Sequence, residues 1–154
     1  VLEIVPAGQG FEVVERRRFT SGEGLASEQQ TPLLFAGHVF GIQPKDAGVL
    51  RNQLLCLRPD DLTRPVWASG PTHRFGLGPY LIADDKLLVL DDDGTLTLAA
   101  ASADGYRELA RARVLDGVDA WAPMALAGQR LLLRDSRRLL CLDLGPGRGK
   151  GGRA

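Results

Sequence analysis

Short apolar runs of four to six residues recur along this chain, each bounded by glycine, proline or aspartate. Runs of this length and composition are typical of β-strands, whereas helices require longer amphipathic segments. Three stretches share one order: a proline, an apolar run, an alanine with a small or acidic turn residue, and a second apolar run. They are TPLLFAGHVFGI from Thr31, GPYLIADDKLLVL from Gly78 and APMALAGQRLLLR from Ala122. The pattern predicts a repeated pair of strands.

The spacing of these stretches matches a propeller blade. Pro32, Pro79 and Pro123 lie 47 and 44 residues apart, and blades of β-propellers take ~40 to 50 residues. Further strands follow each pair, and we label the four strands of the repeat A to D. The predicted C strands cover 53–59, 95–101 and 138–144, and the predicted D strands cover 64–69 and 106–115.

The opening of the chain belongs to the same repeat. LEIVPAGQGFEVVERRRF matches LTLAAASADGYRELARARVL with one gap, which pairs Phe11 with Tyr106 and predicts strands C and D of an earlier unit. Tyr106, Leu109, Ala110 and Arg113 also fit helical spacing, so a helix stays the alternative over 106–115. Its repeat mate FEVVERRRF is β-branched and aromatic, which favours a strand.

The fold prediction is therefore all-β: propeller-type blades of four-stranded antiparallel sheets, about three blades' worth, over residues 1–145. A closed propeller takes roughly four to eight blades, so we expect these blades to be part of a larger propeller. Residues 146–154 are glycine-rich and basic with no large apolar side chain, and composition of this kind predicts a disordered tail.

Charge and cysteine content narrow the function classes. The 19 basic residues balance the 19 acidic ones, so no net field favours nucleic acid or an anionic membrane surface. No apolar run approaches the ~20 residues that span a bilayer, so no transmembrane segment is predicted. Cys56 and Cys141 occupy equivalent C-strand positions where the unit between them has Leu98. Both are predicted to be buried thiols.

The acidic run 91–94, DDDG, separates strands B and C of one unit. A tight hairpin favours Asp-Gly because this pair adopts positive φ, so a turn is predicted. A calcium loop of the D-x-D-x-D-G type needs a later glutamate ligand, and none occurs before Glu108, which makes calcium the weaker alternative. His38 is predicted to lie in an exposed A–B turn, without partners at metal-binding spacing.

Some connections are longer than a sheet requires. One B–C connection expands to QPKDAGVLRNQ at 43–53, and the D–A connections keep glycines, aromatic residues and polar groups. In an up-and-down sheet of four strands, these two kinds of connection emerge on the same face, where a rigid scaffold presents binding residues. The predicted ligand- or partner-binding residues are Glu28, Gln29, Gln30, Lys45, Asp46, Arg51, Asn52, His73, Arg74, Asp119 and Trp121. The alternative is structural: hydrogen bonds between neighbouring sheets, with Trp121 covering the core.

The units with GHVFGI, LLCLRPDD followed by PVWASG, DDKLLVLDDDGTLTL and LLCLDL resemble the PQQ-like β-propeller repeats of the quinoprotein alcohol dehydrogenase-like superfamily. The resemblance covers about residues 1–145. It implies C-terminal blades that partner the remaining blades, or another chain at an open sheet edge, and a bacterial periplasmic or secreted location.

The superfamily includes dehydrogenases that use pyrroloquinoline quinone (PQQ) with calcium. Their vicinal cysteines, cofactor-stacking tryptophan and paired catalytic aspartates have no counterpart in this sequence. We therefore expect a noncatalytic binding or scaffold module, without a cofactor, that binds a protein or small-molecule ligand on its B–C and D–A loops. Part of a PQQ-dependent oxidoreductase is the alternative.

Overall fold

The computed structural model describes residues 1–145, which form four antiparallel sheets and one short 3₁₀ turn, Gly48–Leu50. Each strand pairs with its neighbours in sequence, so every sheet is an up-and-down meander. Sheet 1 contains β1 (Leu2–Ala7) and β2 (Gly10–Glu15); sheet 2 contains β3 (Leu33–Phe35), β4 (His38–Ile42), β5 (Leu54–Arg58) and β6 (Asp61–Ala68); sheet 3 contains β7 (Tyr80–Ala83), β8 (Lys86–Leu90), β9 (Thr95–Ala100) and β10 (Glu108–Arg113); sheet 4 contains β11 (Ala125–Ala127), β12 (Arg130–Arg134) and β13 (Leu139–Asp143).

The predicted all-β architecture of successive antiparallel sheets is confirmed. The three proline-led stretches lie in three different sheets, and the segment at 106–115 contains the strand β10 instead of a helix. The tail predicted at 146–154 lies outside the described residues. The turn prediction for His38 is wrong: His38 is half-buried, begins β4 and pairs with Phe35, because the two-residue turn is formed by Ala36 and Gly37.

Sheets 2, 3 and 4 stack face to face. Alternate residues of a strand point to opposite faces, and we call the face directed at the next sheet in the chain the forward face and the other the rear face. The core between sheets 2 and 3 joins the forward residues Phe40, Ile42, Leu54 and Cys56 to the rear residues Leu87, Val89 and Ala99. The core between sheets 3 and 4 joins the forward residues Leu88, Leu90, Leu96 and Leu98 to the rear residues Leu131, Leu133, Leu140 and Leu142. Each fully buried leucine contributes about 1.5–3 kcal/mol, so this stacking is the main source of stability.

Strand D completes the contact between sheets 2 and 3. Trp67 on β6 donates a hydrogen bond from its indole N–H to the carbonyl oxygen of Ser102 at 2.8 Å. Its ring centroid lies 6.0 Å from that of Phe40 and 6.1 Å from that of Tyr106. The outer part of this interface is thereby covered by a residue of the fourth strand.

The two cysteines differ in exposure, although they hold equivalent strand positions. Cys56 is buried between sheets 2 and 3, and burial raises the pKa of its thiol to about 11. The prediction that Cys141 is buried is wrong, because this thiol is exposed on the forward face of sheet 4. Within residues 1–145 no further sheet follows to cover that face.

Candidate binding surface on the loop face

The D–A loops 16–32, 69–79 and 114–124 and the B–C loops 43–53 and 91–94 contact one another on one side of the stack, which we call the loop face. Gln30 reaches from the first D–A loop to the last, where its amide N–H donates to the carbonyl oxygen of Trp121 at 3.1 Å. The strand order requires this arrangement, because B–C and D–A connections leave a meander at the same end.

Asn52 and Arg74 join the long B–C loop to the D–A loop that follows sheet 2. The side-chain amide of Asn52 donates to the carbonyl of Phe75 at 2.9 Å, and the backbone N–H of Phe75 donates back to the carbonyl of Asn52 at 2.7 Å. The Arg74 guanidinium donates to the carbonyls of Arg51 and Pro71. Asn52 and Arg74 thus serve the loop structure, and the Arg51 side chain is exposed beside them.

His73 belongs to an aromatic cluster. Its imidazole centroid lies 5.1 Å from the ring of Tyr106, and Nδ1 lies 3.1 Å from the hydroxyl of Thr72. Burial and the charge of Glu108 raise the pKa of Tyr106 to about 12, which keeps that phenol neutral. The cluster packs the D–A loop of sheet 2 against the outer part of sheet 3.

Asp119 and Trp121 lie on the last D–A loop, which Gln30 joins to the first one. Asp119 is exposed with φ 56°, and Trp121 is 37% exposed. Gln29 and Gln30 line a cavity of about 10 Å³ beside Tyr80. A cavity of this size holds about one water molecule.

A larger cleft lies between the first D–A loop and the B–C loop 43–53. Its volume is about 340 Å³, and its lining consists of Ser21, Ala26, Ser27, Glu28, Pro44, Lys45 and Asp46. Glu28, Lys45 and Asp46 are exposed, and the described chain offers their side chains neither an ion pair nor a hydrogen bond. Two carboxylates and one ammonium group are therefore available to a molecule in the cleft.

Gln43 fixes the walls of this cleft, although it was not among the predicted residues. Its side chain is 2% exposed; the amide oxygen accepts from the N–H of Ala26 at 2.8 Å, and the amide nitrogen donates to Gly24 at 2.9 Å and to Ser21 at 3.3 Å. A buried amide that satisfies three backbone groups is costly to replace. A polar residue directly after the apolar strand HVFGI was the available signal.

The acidic run 91–94 forms the predicted turn, with a different backbone geometry. The N–H of Gly94 donates to the carbonyl of Asp91 at 2.9 Å, and only Gly94 has positive φ, at 85°. This is a type I turn followed by a left-handed glycine. The Asp91 carboxylate accepts from the N–H groups of Gly76 and Asp92, both at 2.8 Å. Through its bond to Gly76 this carboxyl fastens the turn to the neighbouring D–A loop. Burial there raises the pKa of Asp91 to about 6.

The described range holds no group of three histidine, cysteine, aspartate or glutamate side chains placed to share a metal ion. Among the same residues, no helix has the length and apolar character to cross a membrane. Comparison of the sequence with protein-family models and with curated proteins finds no match.

Proposed function

We propose that this chain is a noncatalytic binding module of the PQQ-like propeller type, whose ligand is a small polar molecule or a protein segment that carries a positive charge. The observation that carries the proposal is the cleft of about 340 Å³ lined by Glu28, Lys45 and Asp46, whose charges have no partner within the described residues. Small-molecule sites have volumes of roughly 300–1,000 Å³.

The charges define the ligand chemistry. The two carboxylates accept charge-assisted hydrogen bonds from an ammonium or guanidinium group, which are about twice as strong as neutral ones. Lys45 supplies a donor for a carbonyl or carboxylate of the same ligand. A basic amino-acid residue with its backbone carbonyl carries both groups, so short peptides that contain lysine or arginine are the first probes.

The test is a titration of the chain with a panel of lysine- and arginine-containing dipeptides. Binding is monitored by the NMR chemical shifts of the backbone amides of 26–28, 45 and 46. In the double variant Glu28→Gln/Asp46→Asn we expect at least tenfold weaker binding of any dipeptide that binds the original chain. The matched control is Glu12→Gln/Asp60→Asn, which removes two exposed carboxylates elsewhere. Equal binding by the two double variants, or no binding by any dipeptide, would argue against the proposal.

The oxidoreductase alternative has less support among the described residues. They contain no group of three histidine, cysteine, aspartate or glutamate side chains that could hold calcium, and the Asp91 carboxylate already accepts two backbone hydrogen bonds. Incubation of the chain with PQQ and Ca²⁺, followed by gel filtration and an absorbance scan, tests this alternative. We expect no retained cofactor; a retained quinone spectrum would favour the oxidoreductase.

On the resemblance alone, we also propose a bacterial periplasmic or secreted location. An export signal in the upstream reading frame would support it. Fractionation of cells that express the full reading frame checks the location directly.

A further inference from the structure

Tyr80, the first residue of β7, carries a buried hydroxyl that has no hydrogen-bond partner among the described residues. The residue is 8% exposed, and burial raises the pKa of its phenol, which therefore stays neutral. A buried polar group without a partner is costly, and native structures rarely keep one unless a water molecule or a ligand satisfies it. The hydroxyl therefore indicates that something binds beside it.

The Tyr80 side chain lines the small cavity of about 10 Å³ on the loop face. The Ser27 side chain and the backbone of Ile42, which line the same cavity, lie near the Tyr80 hydroxyl and oppose part of the rise in its pKa. The hydroxyl is thus directed into this space. Glu28 and Gln29 also line the cavity; both are exposed, and their side chains take no part in the hydrogen bonds of the described residues.

The small cavity adjoins the cleft of about 340 Å³ in which the loop-face ligand is proposed to bind. Ser27, Glu28 and Pro44 line both spaces, so these three residues form the boundary between them. A ligand in the cleft therefore reaches Tyr80 by extending a single group past the Glu28 carboxylate.

The size and the charge of the small cavity define that group. A volume of this size admits about one water molecule. An ammonium group also has one heavy atom, and its three N–H donors match the acceptors offered by the Tyr80 hydroxyl, the Ser27 hydroxyl and the Glu28 carboxylate. A guanidinium group is larger, planar and carries five donors in a fixed geometry, and a carboxylate or phosphate would be repelled by Glu28.

We propose that the small cavity is a subsite for a primary ammonium group, so that the loop-face cleft selects lysine side chains over arginine side chains. The inference rests on the function proposed above and names the ligand class of that site. The ammonium group displaces the one water molecule that the cavity admits, and it supplies the missing partner of the Tyr80 hydroxyl. Its charge is balanced by the Glu28 carboxylate.

Three dipeptide probes test the selectivity: N-acetylated Lys-Gly, N-acetylated Arg-Gly and N-acetylated trimethyllysyl-Gly. Acetylation leaves the side chain as the only positive charge of each probe. By isothermal titration calorimetry we expect Lys-Gly to bind roughly tenfold or more tightly than Arg-Gly, since a hydrogen bond to a charged group contributes this much. The trimethyllysine probe keeps the charge but has no donor and exceeds the cavity, so it should bind as weakly as Arg-Gly.

Tyr80→Phe removes the hydroxyl and keeps the ring. We expect this variant to bind Lys-Gly roughly tenfold more weakly and Arg-Gly unchanged. The matched control is Tyr106→Phe at the other tyrosine of the chain, whose hydroxyl donates to Glu108 at 3.3 Å and lines neither the small cavity nor the cleft. This control should leave the affinities for both dipeptides unchanged. Because the Tyr80 hydroxyl has no partner in the free chain, Tyr80→Phe should not lower the urea midpoint of unfolding.

Backbone amide shifts give an independent readout. Gly76 and Leu77 line the small cavity but not the cleft, so Lys-Gly should shift their NMR signals and Arg-Gly should not. Equal affinity of the original chain for the two dipeptides, or unchanged selectivity in Tyr80→Phe, would overturn the subsite and leave the loop-face function intact. A lower unfolding midpoint of Tyr80→Phe with unchanged selectivity would assign the cavity to a structural water molecule alone. No binding of either dipeptide would overturn both proposals.

Discussion

Single residues hold the loop face together, and the turn between β8 and β9 is the clearest case. Three acids stand side by side, yet they do different things: Asp91 accepts two backbone hydrogen bonds, whereas Asp93 accepts one, from the N–H of Thr95 at 2.8 Å. One oxygen of Asp92 is buried without a hydrogen-bond partner among the described residues. The turn was predictable from the sequence. Which acid is withdrawn from water was not, because this depends on the neighbouring D–A loop.

Asp91 should make stability depend on pH. Burial raises its pKa from 3.8 to about 6 in the folded chain, so between about pH 4 and 6 the native state keeps a proton that the unfolded state has lost. The protonated carboxyl therefore contributes fully to the free energy of unfolding below pH 4, and this contribution is lost as pH rises through 6. Asp91→Asn keeps a side-chain oxygen that accepts the backbone hydrogen bonds but cannot ionise. The free energy of unfolding of this variant should fall by about 1 kcal/mol less between pH 4 and 7, because the carboxyl is only partly withdrawn from water.

The measurement for Asp91 is urea unfolding of both proteins at pH 4, 5, 6 and 7. The difference in unfolding free energy between variant and original chain should grow across this range in favour of the variant. A difference that stays constant with pH would show that the pKa of Asp91 is the same in the folded and the unfolded chain.

Gly78 lies on the D–A loop beside this turn and should not tolerate a larger residue. A Cβ added there would lie 1.7 Å from the backbone carbonyl oxygen of Leu90, so these two segments of the chain would have to separate. We expect Gly78→Ala to lower the unfolding free energy by about 2–4 kcal/mol. Gly10→Ala is the matched control, since its nearest neighbour would be 3.9 Å away. Comparable urea midpoints for the two variants would contradict this close approach.

At the scale of strands and sheets, the same position in successive C strands differs in burial from sheet to sheet. Cys56 and Leu98 both point forwards and meet the next sheet, whereas Cys141 points forwards into solvent. The strands themselves were predictable from apolar runs and the proline spacing. The exposure of Cys141 was not, because burial depends on whether another sheet follows and not on the residues of β13.

This difference can be measured by thiol labelling. Iodoacetamide at pH 8 should modify Cys141 within minutes, while Cys56 should react only after unfolding, because burial raises its pKa to about 11 and excludes the reagent. Mass spectrometry of the labelled chain checks this, with Cys141→Ser as the control that should take up no label in the native state. Two labels on the native chain would mean that sheets 2 and 3 separate readily.

For the candidate site too, the local sequence pattern predicted which loops take part, whereas contacts between the loops decide which side chains are free. Loop length identified the segments that line the cleft, and Glu28, Lys45 and Asp46 were all predicted. The same pattern also selected Asn52 and Arg74, whose hydrogen bonds join the loops, and it missed Gln43, whose amide holds three backbone groups across 17 to 22 residues of chain. Side-chain type alone does not distinguish a free polar group from one that the fold already uses.

At the scale of the whole molecule, stability should be graded along the stack. Sheet 3 is covered on both faces, whereas the apolar residues of sheet 1 are largely exposed: Leu2 65%, Ile4 69%, Phe11 77% and Val13 63%. An isolated two-stranded hairpin is at best marginally stable in water. Because stacked units contribute mainly through contacts with their neighbours, sheet 1 should open independently of the others.

Hydrogen exchange followed by mass spectrometry tests this gradient. Amides of β1 and β2 should exchange fastest, those of β13 at an intermediate rate, and those of β4, β5, β8 and β9 slowest, since opening sheet 2 or sheet 3 exposes the buried core between them. Leu131→Ala, which creates a cavity between sheets 3 and 4, should accelerate exchange in sheets 3 and 4 and leave sheet 1 unchanged. Phe11→Ser should leave the central sheets unchanged. Uniform exchange across all four sheets would instead mean that the chain unfolds as one cooperative unit, with sheet 1 stabilised by contacts beyond its own pairing.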